Sequence, residues 1–159
     1  MSDSADTKPV LLCFDGSEDA TAAIASAGQL LGSRPAVVLT VQEPIRLWQP
    51  SDPATILDAP IGRLLSKALE LEEIADEVAK DEANHAVELA RDAGFEAHSR
   101  VAHGKAWKAI CDVAAELDAS VIVMGARGLS RVQSALLGSV SAAVSVHAGR
   151  PVLIVHRDR

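Results

Sequence analysis

Five short strand-like segments alternate along this 159-residue chain with stretches of helical periodicity, and that alternation leaves few folds open. Val10-Leu11-Leu12-Cys13-Phe14, Ala36–Val41, Val121–Met124 and Val152–Val155 are continuous apolar runs, the pattern of strands covered on both faces. Phe95–Ala102 alternates instead, with Glu96, His98 and Arg100 on one face. Between them lie four helical segments. Ala20–Leu31 follows a good N-cap, Ser17, with Glu18 and Asp19 in its first turn and Gly32 as its stop. Leu64–Ala93 reads as one long helix ended by Gly94. A third opens at Gly104 with Trp107, Ile110, Val113, Ala114 and Leu117 on its apolar stripe, and Ser139–Ala148 precedes Gly149 and Pro151. The order β-α-β-α-β-α-β-α-β predicts an α/β three-layer sandwich: a five-stranded parallel sheet with helices on both faces. Ligands of such sheets bind outside the carboxyl ends of the strands, near the point where strand order reverses.

The segmentation predicts a short disordered leader over residues 1–8 and a single domain over residues 9–157. Pro44, Pro50, Pro53 and Pro60 bar regular structure from Glu43 to Pro60, which reads as an insertion within that domain. On the long helix Leu64, Ala68, Leu71, Ala75 and Val78, then Val87 and Ala90, recur at helical spacing as the expected buried face. Glu70, Glu72, Glu73, Asp76, Glu77, Asp81 and Glu82 load the other, a pattern that usually marks a solvated face rather than a partner surface. No apolar run approaches the ~18–20 residues of a membrane span, and the polar start lacks an apolar signal core, so a cytoplasmic protein is expected. A formal net charge of −7 argues against a nucleic-acid surface. Cys13 and Cys111 read as reduced, buried thiols, and the five histidines lack metal-ligand spacing.

The chemistry concentrates after the fourth strand. Gly125-Ala126-Arg127-Gly128, nine residues, then Gly138-Ser139 gives strand, glycine-rich loop and helix start. Glycines allow a backbone turn with positive φ and bring N–H groups close to a ligand. The helix start adds free donors and a partial positive charge, the makings of a phosphate pocket. No Asp or Glu lies between Gly125 and Gly149, whereas Arg127 and Arg131 do. The loop after the first strand, Asp15-Gly16-Ser17-Glu18-Asp19, carries carboxylates that would repel phosphate. Asp15 suits a different task there: accepting from ribose hydroxyls or adenine, or holding Mg²⁺ at a distance. Neither GxxxxGK[ST] nor a GxGxxG after the first strand occurs. His103 and Lys105, near the ends of the third strand, read first as turn residues.

Gly125-xx-Gly128-x9-Gly138-Ser139 followed by Val140-Ser141 resembles the ATP-binding signature of the universal stress protein family. Ser120–Arg131, the ending Arg150-Pro-Val-Leu-Ile-Val155 and the opening Leu11–Ser17 resemble it too, so that the likeness covers residues 8–157. The resemblance implies an adenine nucleotide alpha hydrolase-like fold binding ATP, with Mg²⁺ as a companion ion. It places the backbone of Cys13 and the main chain of Val41 on adenine and Asp15 on the ribose or adenine side. Gly125, Ala126, Arg127, Gly128 and Arg131 would frame the phosphates, and Gly138, Ser139, Val140 and Ser141 would complete that frame with N–H and hydroxyl donors. It implies a homodimer paired through Val152, Leu153, Ile154 and Val155, which would cover an exposed apolar edge.

The function that follows is an ATP-binding, nucleotide-dependent regulator of the stress-response type. The alternatives are a cyclic AMP binder and a non-nucleotide interaction module of the same fold. No evident general base and no Walker-type lysine appear, so at most slow hydrolysis, or self-phosphorylation at Ser130, Ser134, Ser139 or Ser141, is expected. An adenylylating enzyme would need paired glycines in the first loop, which Phe14-Asp-Gly-Ser-Glu-Asp19 lacks.

Overall fold

The computed structural model describes residues 8–43, 61–128 and 137–157. Within them the chain runs β1 (Val10–Cys13), α1 (Glu18–Leu31), β2 (Pro35–Gln42), α2 (Ile61–Asp92), β3 (Glu96–His103), α3 (Ala106–Glu116), β4 (Val121–Gly125), α4 (Ser139–His147) and β5 (Val152–Val155). Strand order is β3-β2-β1-β4-β5 and every pairing is parallel. The chain therefore builds outward from β1 in one direction through β3, then reverses and builds outward through β5. The switch point lies between β1 and β4, whose registers run Val10↔Val121 to Leu12↔Val123.

The two faces of the sheet are separated by strand alternation. Val10, Leu12, Ala36 and Val38 face α1 and α2, packing with Ile24, Ala27, Ala86 and Ala90. Leu11, Cys13, Val37, Leu39, Ile122 and Met124 face α3 and α4, packing with Ile110, Val113, Ala114 and Val144. Leu11, Leu12, Ile24 and Ile122 are almost wholly withdrawn from water, each contributing about 2 kcal/mol from burial. This explains why β1 and β4 are apolar without interruption. Both their faces are core.

The long helix departs from its expected stripe. Its buried side is Ala79, Ala83, Ala86, Val87 and Ala90, while Leu71 and Val78 are 42% and 52% exposed. A helix of 32 residues is about 48 Å long, whereas the eight-residue strands beneath it span about 26 Å. Only its C-terminal half lies over the sheet, and there alanines let the two backbones approach. The helix also begins at Ile61, earlier than the periodicity suggested. Of the expected proline-rich loop Glu43–Pro60, residues 44–60 lie outside the described residues, as do residues 1–7 of the expected leader.

Candidate functional site

At the carboxyl ends of β1 and β4 the sheet opens into a cavity of about 440 Å³. Its lining combines apolar side chains, Phe14, Leu39, Ala106, Ile110 and Met124, with Arg127, Gly128, Gly138, Ser139 and Ser141. It lies at the switch point, where strand topology leaves a crevice.

Three helix N-termini stand around this edge, and they differ in one respect. The first turn of α1 is capped by the Ser17 hydroxyl, which accepts from the Ala20 N–H at 3.1 Å, and carries Glu18 and Asp19. At α3 the Glu43 carboxylate accepts from the Ala106 N–H at 3.1 Å. At α4 the N-cap is Gly138, which has no side chain to offer, and no acidic residue occupies the first turn. The Gly138 N–H donates to the Ala126 carbonyl at 2.7 Å. Among the described residues, no acceptor is found for the first-turn N–H groups of Ser139, Val140 and Ser141. Among the described residues, α4 is thus the one helix start on the cavity rim with no carboxylate on it.

The glycines of the loop serve close approach rather than an unusual turn. Gly125, Gly128 and Gly138 all have φ outside the left-handed region, contrary to the positive φ expected for such a loop. At Gly125 a Cβ would lie 2.7 Å from the Asp19 carbonyl carbon and 2.8 Å from the Ala20 nitrogen, so β4 ends directly on the first turn of α1. At Gly128 a Cβ would lie 2.7 Å from Asp15 Oδ2. Asp15 Oδ1 accepts from the Ser17 N–H at 3.0 Å, which holds the carboxylate beside the glycine loop.

Of the residues expected at a nucleotide, Cys13, Asp15, Val41, Gly125, Arg127, Gly128, Gly138, Ser139, Val140 and Ser141 all line this one cavity. Ala126 does not. It is fully buried behind the wall, its N–H donating to the Val155 carbonyl at 2.9 Å and its carbonyl accepting from Gly138. The Ser141 hydroxyl differs from its expected use as a ligand donor, because it is buried and donates to the Gly125 carbonyl at 2.9 Å. It locks the loop onto α4. Arg131, Ser130 and Ser134 lie outside the described residues. The Arg127 Nε is buried without a hydrogen-bond partner among the described residues, an arrangement an anion at the cavity would relieve.

Val41 presents its main chain. β1 stops pairing with β2 at Cys13↔Leu39, and the Phe14 N–H donates to the Leu39 carbonyl at 2.9 Å. The Gln42 carbonyl points the other way, accepting from the Gly104 N–H at 2.9 Å. Peptide groups of a parallel strand alternate sides. The N–H and C=O of Val41, like those of Leu39, therefore turn toward the side where β1 has ended, which is the cavity.

Cys13 is an apolar wall residue. Burial pushes its thiol far above the ordinary range, reinforced by the nearby Asp15 charge. Half-buried Cys111 is raised as well, again chiefly by burial. At pH 8 a disulfide reagent such as DTNB should modify native Cys13 at least ~100-fold more slowly than in guanidinium chloride, where both thiols titrate. Rapid modification of native Cys13 would contradict its placement. His103 stands away from the cavity lining, 3.9 Å from Asp76, and Lys105 lies over the Trp107 ring at 5.5 Å. Among the described residues, no cluster of three potential metal ligands occurs, and no helix is long and apolar enough to cross a membrane.

Sequence reasoning missed Phe14, Ala20, Leu39, Ala106, Ile110, Met124 and Leu137 in the lining, and the cap on α3 by Glu43. The lining residues were legible only as strand ends and helix starts. The cap joins residues 63 positions apart and carries no local signal.

Comparison with known proteins agrees with this fold. A model of the universal stress protein family matches residues 6–156. Universal stress protein YxiE of Bacillus subtilis is 39% identical over 88 residues, 54% of this chain and 60% of that protein, so the match spans about three fifths of its length. Among solved structures, hypothetical protein MJ0577 is similar at TM-score 0.76 and 24% identity, covering 97% of this chain and 99% of that one. Universal stress protein UspA from Lactobacillus plantarum superposes at TM-score 0.74 and 20% identity, over 94% and 98% of the two chains. A universal stress protein in complex with cAMP reaches TM-score 0.59 at 26% identity, over 96% and 99%.

Proposed function

This chain belongs to the universal stress protein family, and on that premise we propose that its cavity binds ATP, with the triphosphate on the first turn of α4 and adenine against Val41. The observation that carries this reading is the contrast among the three helix starts. A phosphate brought to α1 or α3 would meet a carboxylate, at a cost of a few kcal/mol in a partly dry site. At α4 it would meet N–H donors, the positive end of the helix and Arg127. The Val41 peptide supports adenine over guanine. An N–H beside a C=O matches the N1 acceptor and N6 donor of adenine, whereas guanine presents a donor at N1 and an acceptor at position 6. Asp15, the one carboxylate lining the cavity among the described residues, would accept from ribose hydroxyls or from water on a Mg²⁺ that arrives with the phosphates.

One carboxylate held by a turn and no lysine in the lining suit occupancy rather than rapid turnover, so the protein acts as a nucleotide-dependent regulator. It acts as a cytoplasmic homodimer. β5 pairs with β4 alone among the described strands, and Val152, Leu153, Ile154 and Val155 are each only half-buried, an edge that a second copy would cover. The related structure in complex with cAMP favours cyclic AMP as the second reading.

Thermal melts with ATP, AMP, cyclic AMP and GTP test this. A ligand at ~100 times its Kd adds about 2.7 kcal/mol, a rise of roughly 5–11 °C for a chain of this size. ATP should raise the midpoint more than GTP at equal concentration. A larger rise with cyclic AMP would move the assignment to that ligand. No shift with any nucleotide would leave an interaction module in which the cavity stays unused.

A further inference from the structure

Val41 can read a base edge only if the free end of β2 is held in place. Beyond Leu39 the strand has lost β1 as a neighbour, and Thr40 to Gln42 pair with β3 alone. Two side chains replace the missing support. The Gln42 amide donates to the Ala75 carbonyl of α2, on one face of the sheet. Glu43 turns to the other face, and its Oε1 accepts from the Ala106 N–H of α3 at 3.1 Å. Ala106 and Val41 both line the cavity, so the Glu43 bond ties together two of its walls. It also places a negative charge on the N-terminus of α3, where an anion would otherwise be drawn.

We infer that Glu43 is a positioning residue for the base end of the site: by pinning the end of β2 to the first turn of α3 it fixes the Val41 peptide against the purine edge. This rests on the adenine-nucleotide reading above and adds what selects the base. The physical requirement is an acceptor at that point in space, not a charge. Glutamine therefore satisfies it and alanine does not.

The test uses the full chain and isothermal titration calorimetry with adenosine, inorganic tripolyphosphate, ATP and GTP. Wild-type protein should bind adenosine and tripolyphosphate separately and prefer ATP to GTP. Glu43→Ala should weaken adenosine and ATP about five- to tenfold, narrow the ATP-to-GTP preference by a similar factor, and leave tripolyphosphate within about twofold. Glu43→Gln should stay within about twofold of wild type for all four ligands. A similar loss for tripolyphosphate in Glu43→Ala would mean general damage to this edge and would overturn the role. So would unchanged adenosine affinity in Glu43→Ala. Wild-type protein that binds neither adenosine nor tripolyphosphate would instead sink the nucleotide reading itself, and the role of Glu43 with it.

Discussion

Gly128→Glu should reduce ATP affinity at least ~100-fold while leaving the protein folded. The new Cβ would start 2.7 Å from Asp15 Oδ2, the movable end of a side chain, so Asp15 swings away from the Ser17 N–H instead of the backbone breaking. The added carboxylate then stands in the cavity at the phosphate end. At about 5 Å and an effective dielectric near 20, each pair of unit charges repels by roughly 3 kcal/mol, and a triphosphate carries several. Since about 1.4 kcal/mol is tenfold in affinity, a loss beyond 100-fold follows from one such pair. Adenosine, which has no phosphate, should lose only a few-fold. Gly138→Val should act in the same direction more weakly, because its Cβ meets the Ala126 carbonyl at 3.2 Å and disturbs the bond that sets the start of α4. Calorimetry with ATP and adenosine, alongside circular dichroism, checks this. ATP binding that survives Gly128→Glu would place the phosphates elsewhere.

Gly28→Val should produce the largest loss of stability among glycine substitutions on the α1–α2 side. A Cβ at Gly28 would lie 2.3 Å from the Ala93 carbonyl oxygen and 2.8 Å from its Cβ. Here the obstacle is backbone at the end of α2, which cannot rotate aside. Helix α1 must lift off, opening the layer that buries Ile24, Ala27 and Ala90. Overpacking of this kind costs about 3 kcal/mol or more, a fall in midpoint of roughly 6–12 °C. Nucleotide affinity in the surviving folded protein should change little, because Gly28 lies near the C-terminal end of α1 whereas the cavity is lined by the other end of that helix, at Ala20. A melt within about 2 °C of wild type would show that the two helices are not in such close contact.

The element order was legible because β-strands buried on both faces must be apolar throughout, and because Ser17, Gly32 and Gly94 punctuate the helices where caps and stops belong. The long helix was the exception. Leu71 and Val78 keep helical spacing with Ala75, yet spacing cannot say how far a helix overhangs the sheet it packs on. The polar part of the lining was legible as well, since the glycines that end β4 and those that start α4 both belong at the carboxyl edge of the sheet. Ala126 and the Ser141 hydroxyl show the limit of that reading. A motif names neighbours in sequence, and whether each faces the cavity or the wall behind it depends on the path of the chain.

Residue order alone determined the parallel α/β layering, the position of a crevice at the strand ends and the sign of charge around Gly125–Ser141. These are local or periodic properties, written in segments a few residues long. Only the tertiary structure decided that the glycines serve close packing rather than positive φ, that the Val41 peptide is turned toward the cavity, and that Glu43 caps α3 while α4 has no side-chain cap among the described residues. Each of these depends on which groups meet across a distance of tens of residues. Such meetings are fixed by strand order and by where β1 ends, and no periodicity in the chain encodes either.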